Sequence, residues 1–388
     1  MSAPSAPAAA ADVAAADVTQ SEAVPRPSIE KGRGHIFPCE SCGADLEFHI
    51  GQQQLRCPFC GFSKELVFGE EESIDEQDFS AMLERLVELR REKGTGEESL
   101  KAQEVDCASC GAKVEFTGTL TSTRCPYCGS PIQREGVHRT SSRIPVDGVV
   151  PFRIEKRRAQ SNLKRWVGKL WFAPNAFKKA GIDGKFDGVY LPYWTFDSMT
   201  FTRYRGKRGE HYYVTVGTGK NRTRTRRTRW YPASGRFQLF FDDVLSVAHT
   251  ALPENLIRAL EPWPLEEAKP FHEDILAGHT ARTYDIPLDR GFEDGRQRID
   301  EALREQVRTR IGGDTQRIDD IDTHYDAITY KHMLLPVWLL SYRYSGKVYQ
   351  VVVNAATGEV QGERPYSMWK IAFTGLAVLM LVFLILSV

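Results

Sequence analysis

Eight cysteines in this sequence form two copies of one metal-ligand pattern. Each copy has the spacing C-x2-C-x14-C-x2-C, and the second follows the first at an offset of 68 residues. The predicted ligands are Cys39, Cys42, Cys57 and Cys60 in the first copy and Cys107, Cys110, Cys125 and Cys128 in the second. Four thiolates suit a tetrahedral Zn²⁺ ion and leave no open position for catalysis. The pattern therefore predicts two structural zinc ions in two tandem zinc ribbons.

A glycine follows the second cysteine of every C-x-x-C pair. A tight turn that aims two sulfurs at one ion needs a positive φ, which glycine adopts without strain. Three other interpretations fit less well. A disulfide framework suits a secreted chain, a redox C-x-x-C motif is single rather than paired, and a rubredoxin-type iron site separates its pairs by a longer, aromatic-rich stretch.

The use of cysteine indicates a cellular compartment, whereas the net charge does not indicate a partner. The 388-residue chain carries 51 basic and 51 acidic side chains, so its formal net charge is zero and bulk charge indicates no particular partner. Two filled four-thiolate sites would lower that charge by about 4. The two patterns use all eight cysteines, and thiolates kept for metal indicate a reducing compartment. We therefore expect the ribbons to be in the cytosol.

Shifts in composition divide the chain into six predicted segments. These are a disordered Ala/Pro-rich tail over 1–34, zinc ribbon 1 over 35–68, a helical spacer over 69–103, zinc ribbon 2 over 104–136, an α+β domain over 145–365 and a transmembrane helix over 367–388. The tail lacks the basic start and unbroken apolar run of a signal peptide. The predicted fold class is α+β, with two small zinc ribbons, a β-rich α+β domain containing a possible internal repeat, and one C-terminal transmembrane helix.

Helical periodicity appears in three places before the C-terminal segment. The capping box Ser73-Ile-Asp-Glu76 predicts a helix over about 74–92. A third helix is predicted around 299–311, closed by Gly312-Gly313. Between them, an apolar stripe comprises Ala159, Leu163, Trp166, Val167 and Leu170, and the opposite face carries Lys156, Arg157, Arg158, Lys164 and Arg165. We interpret the basic face as the solvated side of a helix docked on a sheet, although such a helix can also lie on anionic lipid.

Two related strings indicate similar β-units within the α+β domain. Leu191-Pro-Tyr-Trp194 and Leu335-Pro-Val-Trp338 each lead into β-rich sequence. The stretches 211–218 and 348–354 are rich in Val and Tyr, which are typical of strands. We therefore predict a weak second repeat in this domain.

The strongest local charge lies between these units, where 203–229 holds ten Lys or Arg residues and one acid, Glu210. Its candidate anion-contacting residues are Arg222, Arg224, Arg226, Arg227 and Arg229. A strand would project Arg222, Arg224 and Arg226 from one face. Arginines beside aromatic residues suit nucleic-acid phosphates and bases, or lipid head groups. The alternative is a solvated hairpin whose arginines meet acids such as Asp242 and Asp243.

The chain ends in 18 uncharged residues, 371–388, preceded by Trp369 and Lys370. A membrane span takes about 17–25 apolar residues, and basic residues beside a span stay cytoplasmic. The sequence thus predicts a single-pass, tail-anchored protein of the cytoplasmic (inner) membrane, with its N-terminal bulk in the cytosol.

Motifs for catalysis are missing from the sequence. There is no G-x4-G-K-[ST], no H-E-x-x-H and no G-x-S-x-G. Asp242-Asp243 and Asp319-Asp320 are adjacent pairs, and neighbours on a regular strand point apart. We therefore expect no enzyme activity.

Several segments together resemble a group of bacterial proteins. They are the paired cysteine patterns, the two Leu-Pro-x-Trp strings, Ile311-Gly-Gly-Asp314, the segment 330–338 and the segment 357–366. The chain is similar to bacterial TFIIB-type zinc-ribbon proteins, often labelled primosomal protein N-prime or PriA-like helicase. This resemblance implies zinc binding and a membrane tail. It does not extend to ATPase activity, because the nucleotide-binding motifs of a helicase motor are missing.

These observations predict a tail-anchored protein whose zinc ribbons act as a non-catalytic cytosolic recognition or adaptor module. We expect a protein partner for the ribbons and a membrane contact through the C-terminal span. The alternative function is nucleic-acid binding, related to replication or helicases, through the basic run 222–229.

Overall fold

The computed structural model describes residues 38–66, 74–93, 103–106, 113–116, 120–124, 131–133, 144–175, 185–217, 222–250, 252–344 and 347–386. Its strands are β1 Glu47–His49, β2 Gln54–Arg56, β3 Ser63–Glu65, β4 Gln77–Asp78, β5 Gln103–Asp106, β6 Lys113–Phe116, β7 Leu120–Arg124, β8 Pro131–Gln133, β9 Gly148–Val149, β10 Lys185–Val216, β11 Thr223–Val247, β12 Lys269–Pro270, β13 Thr280–Arg282, β14 Thr315–Tyr344, β15 Lys347–Asn354 and β16 Val360–Gly362. Its α-helices are α1 Phe79–Lys93, α2 Lys156–Lys169, α3 Glu254–Arg258, α4 Leu288–Ile311 and α5 Met368–Leu386.

An 11-stranded sheet forms the body of the described structure. Its path runs β12-β9-β14-β10-β13-β7-β8, with β11 paired to β10, β15 to β14, β16 to β15, and β4 to β14. The three longest strands, β11, β10 and β14, lie side by side and are antiparallel. The predicted β-rich α+β class is therefore confirmed.

Helix α4 packs on the sheet at two glycines, which leave room for two large aromatic side chains of the sheet. Gly291 lies against Trp194, and a Cβ on Gly295 would come within 2.9 Å of Phe196. Both aromatic side chains are fully buried. A larger residue at either glycine would separate the helix from the strand, because packed interiors have no spare volume.

The two Leu-Pro-x-Trp strings lie opposite each other in the sheet, with Leu191 paired to Leu335. The two strings also form equivalent hydrogen bonds with the rest of the protein. The Trp194 and Trp338 indoles each donate to a backbone carbonyl, of Ile286 and Ile154 respectively. The carbonyls of Pro192 and Pro336 each accept from the N–H of an alanine, Ala248 and Ala355. Proline is uncommon inside a sheet because it lacks an N–H, and here both prolines occupy equivalent positions.

The helices differ from prediction mainly at one boundary. Helix α1 begins at Phe79 rather than near residue 74, because Gln77 and Asp78 first pair with β14. Asp78 Oδ1 then accepts from Ala81 N at 2.7 Å and caps the helix. Ser73 lies outside the described residues. Helix α2 buries the predicted Ala159, Leu163 and Val167, and α4 ends at Gly312 with φ +65°, as predicted.

The predicted transmembrane helix over 367–388 is wrong, and so is the single-pass placement in the cytoplasmic membrane. Among the described residues, none of the helices combines the length and the apolar character of a membrane span. Helix α5 covers Met368–Leu386 and includes Lys370 in its first turn. The ammonium of Lys370 donates to the carbonyl of Ala173 at 2.9 Å and to Asn175 Oδ1 at 2.9 Å.

Candidate metal centre

Ribbon 1 is a three-stranded sheet, β1-β2-β3, that carries two matching cysteine turns. Gly43 and Gly61 close these turns with φ +73° and +77°, which confirms the predicted positive φ. In each turn the glycine N–H donates to the carbonyl of the first cysteine, at 2.8 Å for Cys39 and 3.1 Å for Cys57. The repeated turn aims both cysteines of each pair at one point.

The structure brings all four predicted sulfurs of ribbon 1 together, within 4.8 Å of one another. The Sγ atoms of Cys39 and Cys60 are 3.5 Å apart, as are those of Cys42 and Cys57. A tetrahedron with Zn–S bonds of ~2.3 Å has S···S edges of about 3.8 Å. A disulfide would need an S–S distance of ~2.05 Å. The cluster is compatible with one zinc site.

Electrostatics within the cluster also favour a bound cation. The Phe62 backbone N–H lowers the pKa of Cys60 to about 6. The Ala44 N–H lowers the pKa of Cys42, but hydrogen bonds with Cys60 and Cys57 outweigh it and raise the pKa to about 12. Four adjacent thiols therefore cannot all ionise near neutral pH by themselves. A divalent ion would supply the missing positive charge, since metal binding deprotonates thiols.

Ribbon 1 is packed against the body of the protein. Leu46, Phe48 and Leu55 form a small buried cluster with Ala277. The Phe48 N–H donates to the Ala277 carbonyl at 3.2 Å, and the Gln53 side-chain amide donates to the Phe152 carbonyl at 2.7 Å. The cysteine cluster therefore has a fixed position on the large sheet.

The four ligands predicted for the second site, Cys107, Cys110, Cys125 and Cys128, lie outside the described residues. Strands near them are described: β5 pairs with β6, and β7 pairs with β8. Strand β7 also pairs with β13 of the large sheet, with Ser122 opposite Ala281. The second zinc ion stays a prediction, and so do the boundaries of the segments that precede the rejected transmembrane helix.

The basic run forms the outer part of a hairpin, which we call the basic arm, residues 210–216 and 223–229 with Arg222. Strand β14 stops pairing with β10 at Gly209, so beyond that point only β10 and β11 remain. Arg224 and Arg226 lie opposite Thr215 and Tyr213, and Arg227 and Arg229 lie opposite Tyr212 and Glu210. Residues opposite each other share a face. The arm thus presents arginines on both faces, and Arg222 precedes β11 instead of completing a row of three.

Tyrosine rings lie against two of these arginines, and Glu210 is the acid opposite Arg229. The guanidinium of Arg224 lies 4.3 Å from the ring centroid of Tyr213, and that of Arg229 lies 5.2 Å from Tyr212. The five predicted arginines are exposed and form no ion pair within the part of the chain that the structure describes. The suggested partners Asp242 and Asp243 lie at the other end of β11, so that suggestion is wrong.

Those two acids belong instead to a cluster that the sequence did not predict, the carboxylate cluster. Glu76, Asp197 and Asp242 have carboxylate oxygens within 4.8 Å of one another. Asp243 joins them because it has φ +51° beside a bulge in the β10–β11 pairing. The ammonium of Lys331 lies 2.9 Å from Asp243, 3.6 Å from Asp197 and 3.7 Å from Glu76. Lys331 therefore offsets part of the negative charge of the cluster. The members of the cluster come from four distant segments with no shared motif.

Comparisons with known proteins give one distant relative. The chain is 25% identical over 344 residues to a Bacillus subtilis (strain 168) protein named "Uncharacterized protein YdjG", which covers 88% of this chain and 94% of the relative. No protein-family model matches the chain, and no solved structure matches it. The similarity to TFIIB-type or PriA-like proteins therefore stays an expectation from the sequence.

Proposed function

We propose that this protein is a non-catalytic adaptor in which ribbon 1, closed around one Zn²⁺, recognises another protein. The observation that carries the proposal is the exposure of Phe59. This side chain lies between the ligands Cys57 and Cys60, and 82% of its surface is exposed. Large aromatic residues dominate the binding energy of many protein interfaces.

The position of Phe59 distinguishes it from an incidental surface residue. The rest of the ribbon buries its apolar side chains against Ala277. A metal turn would hold Phe59 rigidly, so that little conformational entropy is lost when a partner binds. We infer a partner with an apolar pocket that accepts one aromatic ring.

An adaptor needs a second surface, and helix α5 supports one. Its exposed apolar side chains include Phe373, Leu379 and Phe383, at 72%, 68% and 75% exposure. Exposed apolar patches of this kind mark interaction sites. We propose that an apolar helix of another protein packs on α5. By analogy with ribbon 1, we also propose that Cys107, Cys110, Cys125 and Cys128 hold a second Zn²⁺.

A photo-crosslinking amino acid placed at Phe59 tests the recognition role in cells. We expect one discrete adduct at this position. The protein in that adduct should no longer crosslink to a Phe59→Ala variant that carries the photo-crosslinking residue at another position. Lys64 is the matched control, because it is an exposed residue of the same ribbon, in an ion pair with Glu40. Equal adducts at Phe59 and Lys64, or no adduct at Phe59, would contradict the proposal.

The basic arm favours a second candidate function, nucleic-acid binding. Its arginines and tyrosines lie on both faces of a projecting hairpin, and Trp230 and Tyr231 at its base are 44% and 36% exposed. Aromatic rings stack on bases, and arginines neutralise phosphates. The arm is therefore suited to single-stranded nucleic acid.

Binding to a labelled oligonucleotide at several salt concentrations tests this candidate. Each neutralised phosphate contributes a slope of about −0.7 for single strands in log K against log salt. We expect Arg224→Gln/Arg226→Gln to flatten the slope by roughly one or more. A matched double variant on α2, Arg157→Gln/Lys164→Gln, removes the same charge elsewhere. Equal loss in both variants, or no binding at low salt, would exclude the candidate.

A further inference from the structure

A cleft between helix α2 and the turn that joins β15 to β16 has the charge of an anion site. Its volume is about 360 Å³, within the usual range for small-ligand pockets. Arg158, Arg165 and Lys169 line it from the helix, and Gly358 lines it from the turn. The lining of the cleft shares no residue with the cysteine cluster or with the basic arm.

The turn approaches the helix closely, so the cleft has a defined wall. The Asn162 side-chain amide donates to the Gly358 carbonyl at 2.9 Å. Gly358 has φ +87°, and a Cβ there would lie 2.6 Å from Asn162 Nδ2. On the helix side, Ala159, Leu163 and Val167 are buried in the core. The basic residues therefore project from a rigid support.

The charge on this helix is unfavourable for the helix itself. Its 14 residues include six basic and no acidic side chains, and three of the basic ones, Lys156, Arg157 and Arg158, occupy the first turn. Cations at a helix N-terminus oppose the helix dipole, and Arg165 and Lys169 form a like-charge i,i+4 pair. An anion in the cleft would relieve part of this repulsion.

Within the described part of the chain, the basic residues of the lining outnumber its acids. Arg158, Arg165 and Lys169 form no ion pair with the acids that the structure describes. Glu359 is the acidic residue of the lining, and its carboxylate accepts from the Gln361 amide at 3.1 Å. Three basic groups thus face one acid. Trp166, which is half-buried, adds an aromatic surface to the same cleft.

We propose that this cleft binds a small phosphorylated ligand. Arginine guanidinium groups match the geometry of phosphate oxygens and donate two hydrogen bonds at once. Two arginines and a lysine around one cavity suit a doubly charged group better than a single carboxylate. Trp166 provides a surface for a ring attached to the phosphate.

Calorimetric titration of the full chain with inorganic pyrophosphate and with adenosine monophosphate tests the proposal. We expect both probes to bind, and acetate at the same concentration to give no signal. Arg165→Gln/Lys169→Gln should weaken pyrophosphate binding at least tenfold. Arg157→Gln/Lys164→Gln, which removes two charges from the same helix outside the cleft, should change it less than threefold.

Three results would overturn the proposal: no binding of either probe at millimolar concentration, equal weakening by the two α2 double variants, or weakening as large in Arg224→Gln/Arg226→Gln of the basic arm. The substituted residues are exposed, so the variants should unfold at the temperature of the wild type. A matching unfolding temperature would assign any loss of binding to the cleft.

Discussion

Two clusters in this protein each bring several ionisable side chains close together: the four cysteines of ribbon 1 and the carboxylate cluster around Lys331. In the carboxylate cluster, four acids lie around one ammonium group, which offsets part of their charge. In ribbon 1, backbone N–H groups and the other cysteines are the main causes of the pKa shifts of Cys42 and Cys60. The comparison shows that proximity of ligands alone does not identify a metal site. The carboxylate cluster has a cation of its own, and the cysteine cluster is compatible with one zinc site.

Metal removal should have the largest effect on stability, and it should affect ribbon 1 but not the carboxylate cluster. The core of ribbon 1 is small, so we expect chelation or Cys39→Ser/Cys57→Ser to unfold 38–66, with a loss on the order of 10 kcal/mol. Hydrogen exchange should report lost protection there and unchanged protection in β10 and β14. Ser41→Ala, between two ligands, is the control. Retained protection of 38–66 without metal would show that ribbon 1 does not need a metal ion in order to fold.

Replacing the internal counter-charge should be the next largest effect. Lys331→Met leaves the buried Asp197 carboxylate without a cation, at a cost of about 3–5 kcal/mol near pH 7. Asp197→Asn/Lys331→Met removes both charges and should recover most of that loss. Denaturant unfolding measures both variants. A loss below about 1 kcal/mol, or no recovery in the double variant, would show that Lys331 does not stabilise the Asp197 carboxylate.

The carboxyl group of Asp147, beside the same lysine, should make stability depend on pH. Burial raises its pKa to about 6, although the His332 N–H opposes this shift. Because the folded state binds this proton more tightly, its contribution to stability is complete below about pH 4 and is lost as the pH rises towards 6. Asp147→Asn should stabilise the protein by up to about 3 kcal/mol at pH 7. It should give no gain at pH 4.

That pH profile is checked by denaturant unfolding of wild type and Asp147→Asn from pH 4 to pH 8. A constant difference between the two proteins across this range would exclude a raised pKa at Asp147.

The exposed edge of the carboxylate cluster, formed by Glu76, should contribute least to the free energy of unfolding. Glu76 is 45% exposed in its side chain and lies 3.7 Å from Lys331, and exposed ion pairs contribute about 0–1 kcal/mol. We therefore expect Glu76→Gln to lower the free energy of unfolding by less than about 1 kcal/mol. Thermal unfolding measures the change. A loss as large as that of Lys331→Met would place Glu76 in the interior of the cluster.

Local patterns were predictable from the sequence and long-range ones were not. The spacing of Cys39, Cys42, Cys57 and Cys60 fixes two turns within a short hairpin, so ribbon 1 follows from sequence alone. The carboxylate cluster joins Glu76, Asp197 and Lys331 from separate strands and depends on the φ of Asp243. The sheet register that places them together is set by pairing of β10 with β11 and β14.

The membrane prediction counted uncharged residues over 371–388 and did not include the contacts of Lys370, whose ammonium donates to Ala173 and Asn175. Pairing of strands moved the start of α1, because β4 uses Gln77 and Asp78 before the helix begins. Hydropathy and capping patterns describe a segment by itself and do not include its neighbours.

Metal analysis of the purified chain beside its Cys39→Ser/Cys57→Ser variant tests the central claim most directly. If ribbon 1 holds one Zn²⁺, the variant loses one equivalent of zinc per chain, and zinc X-ray absorption of the wild type shows sulfur neighbours at about 2.3 Å. Equal zinc in the two proteins, or a disulfide among these four cysteines, would contradict it.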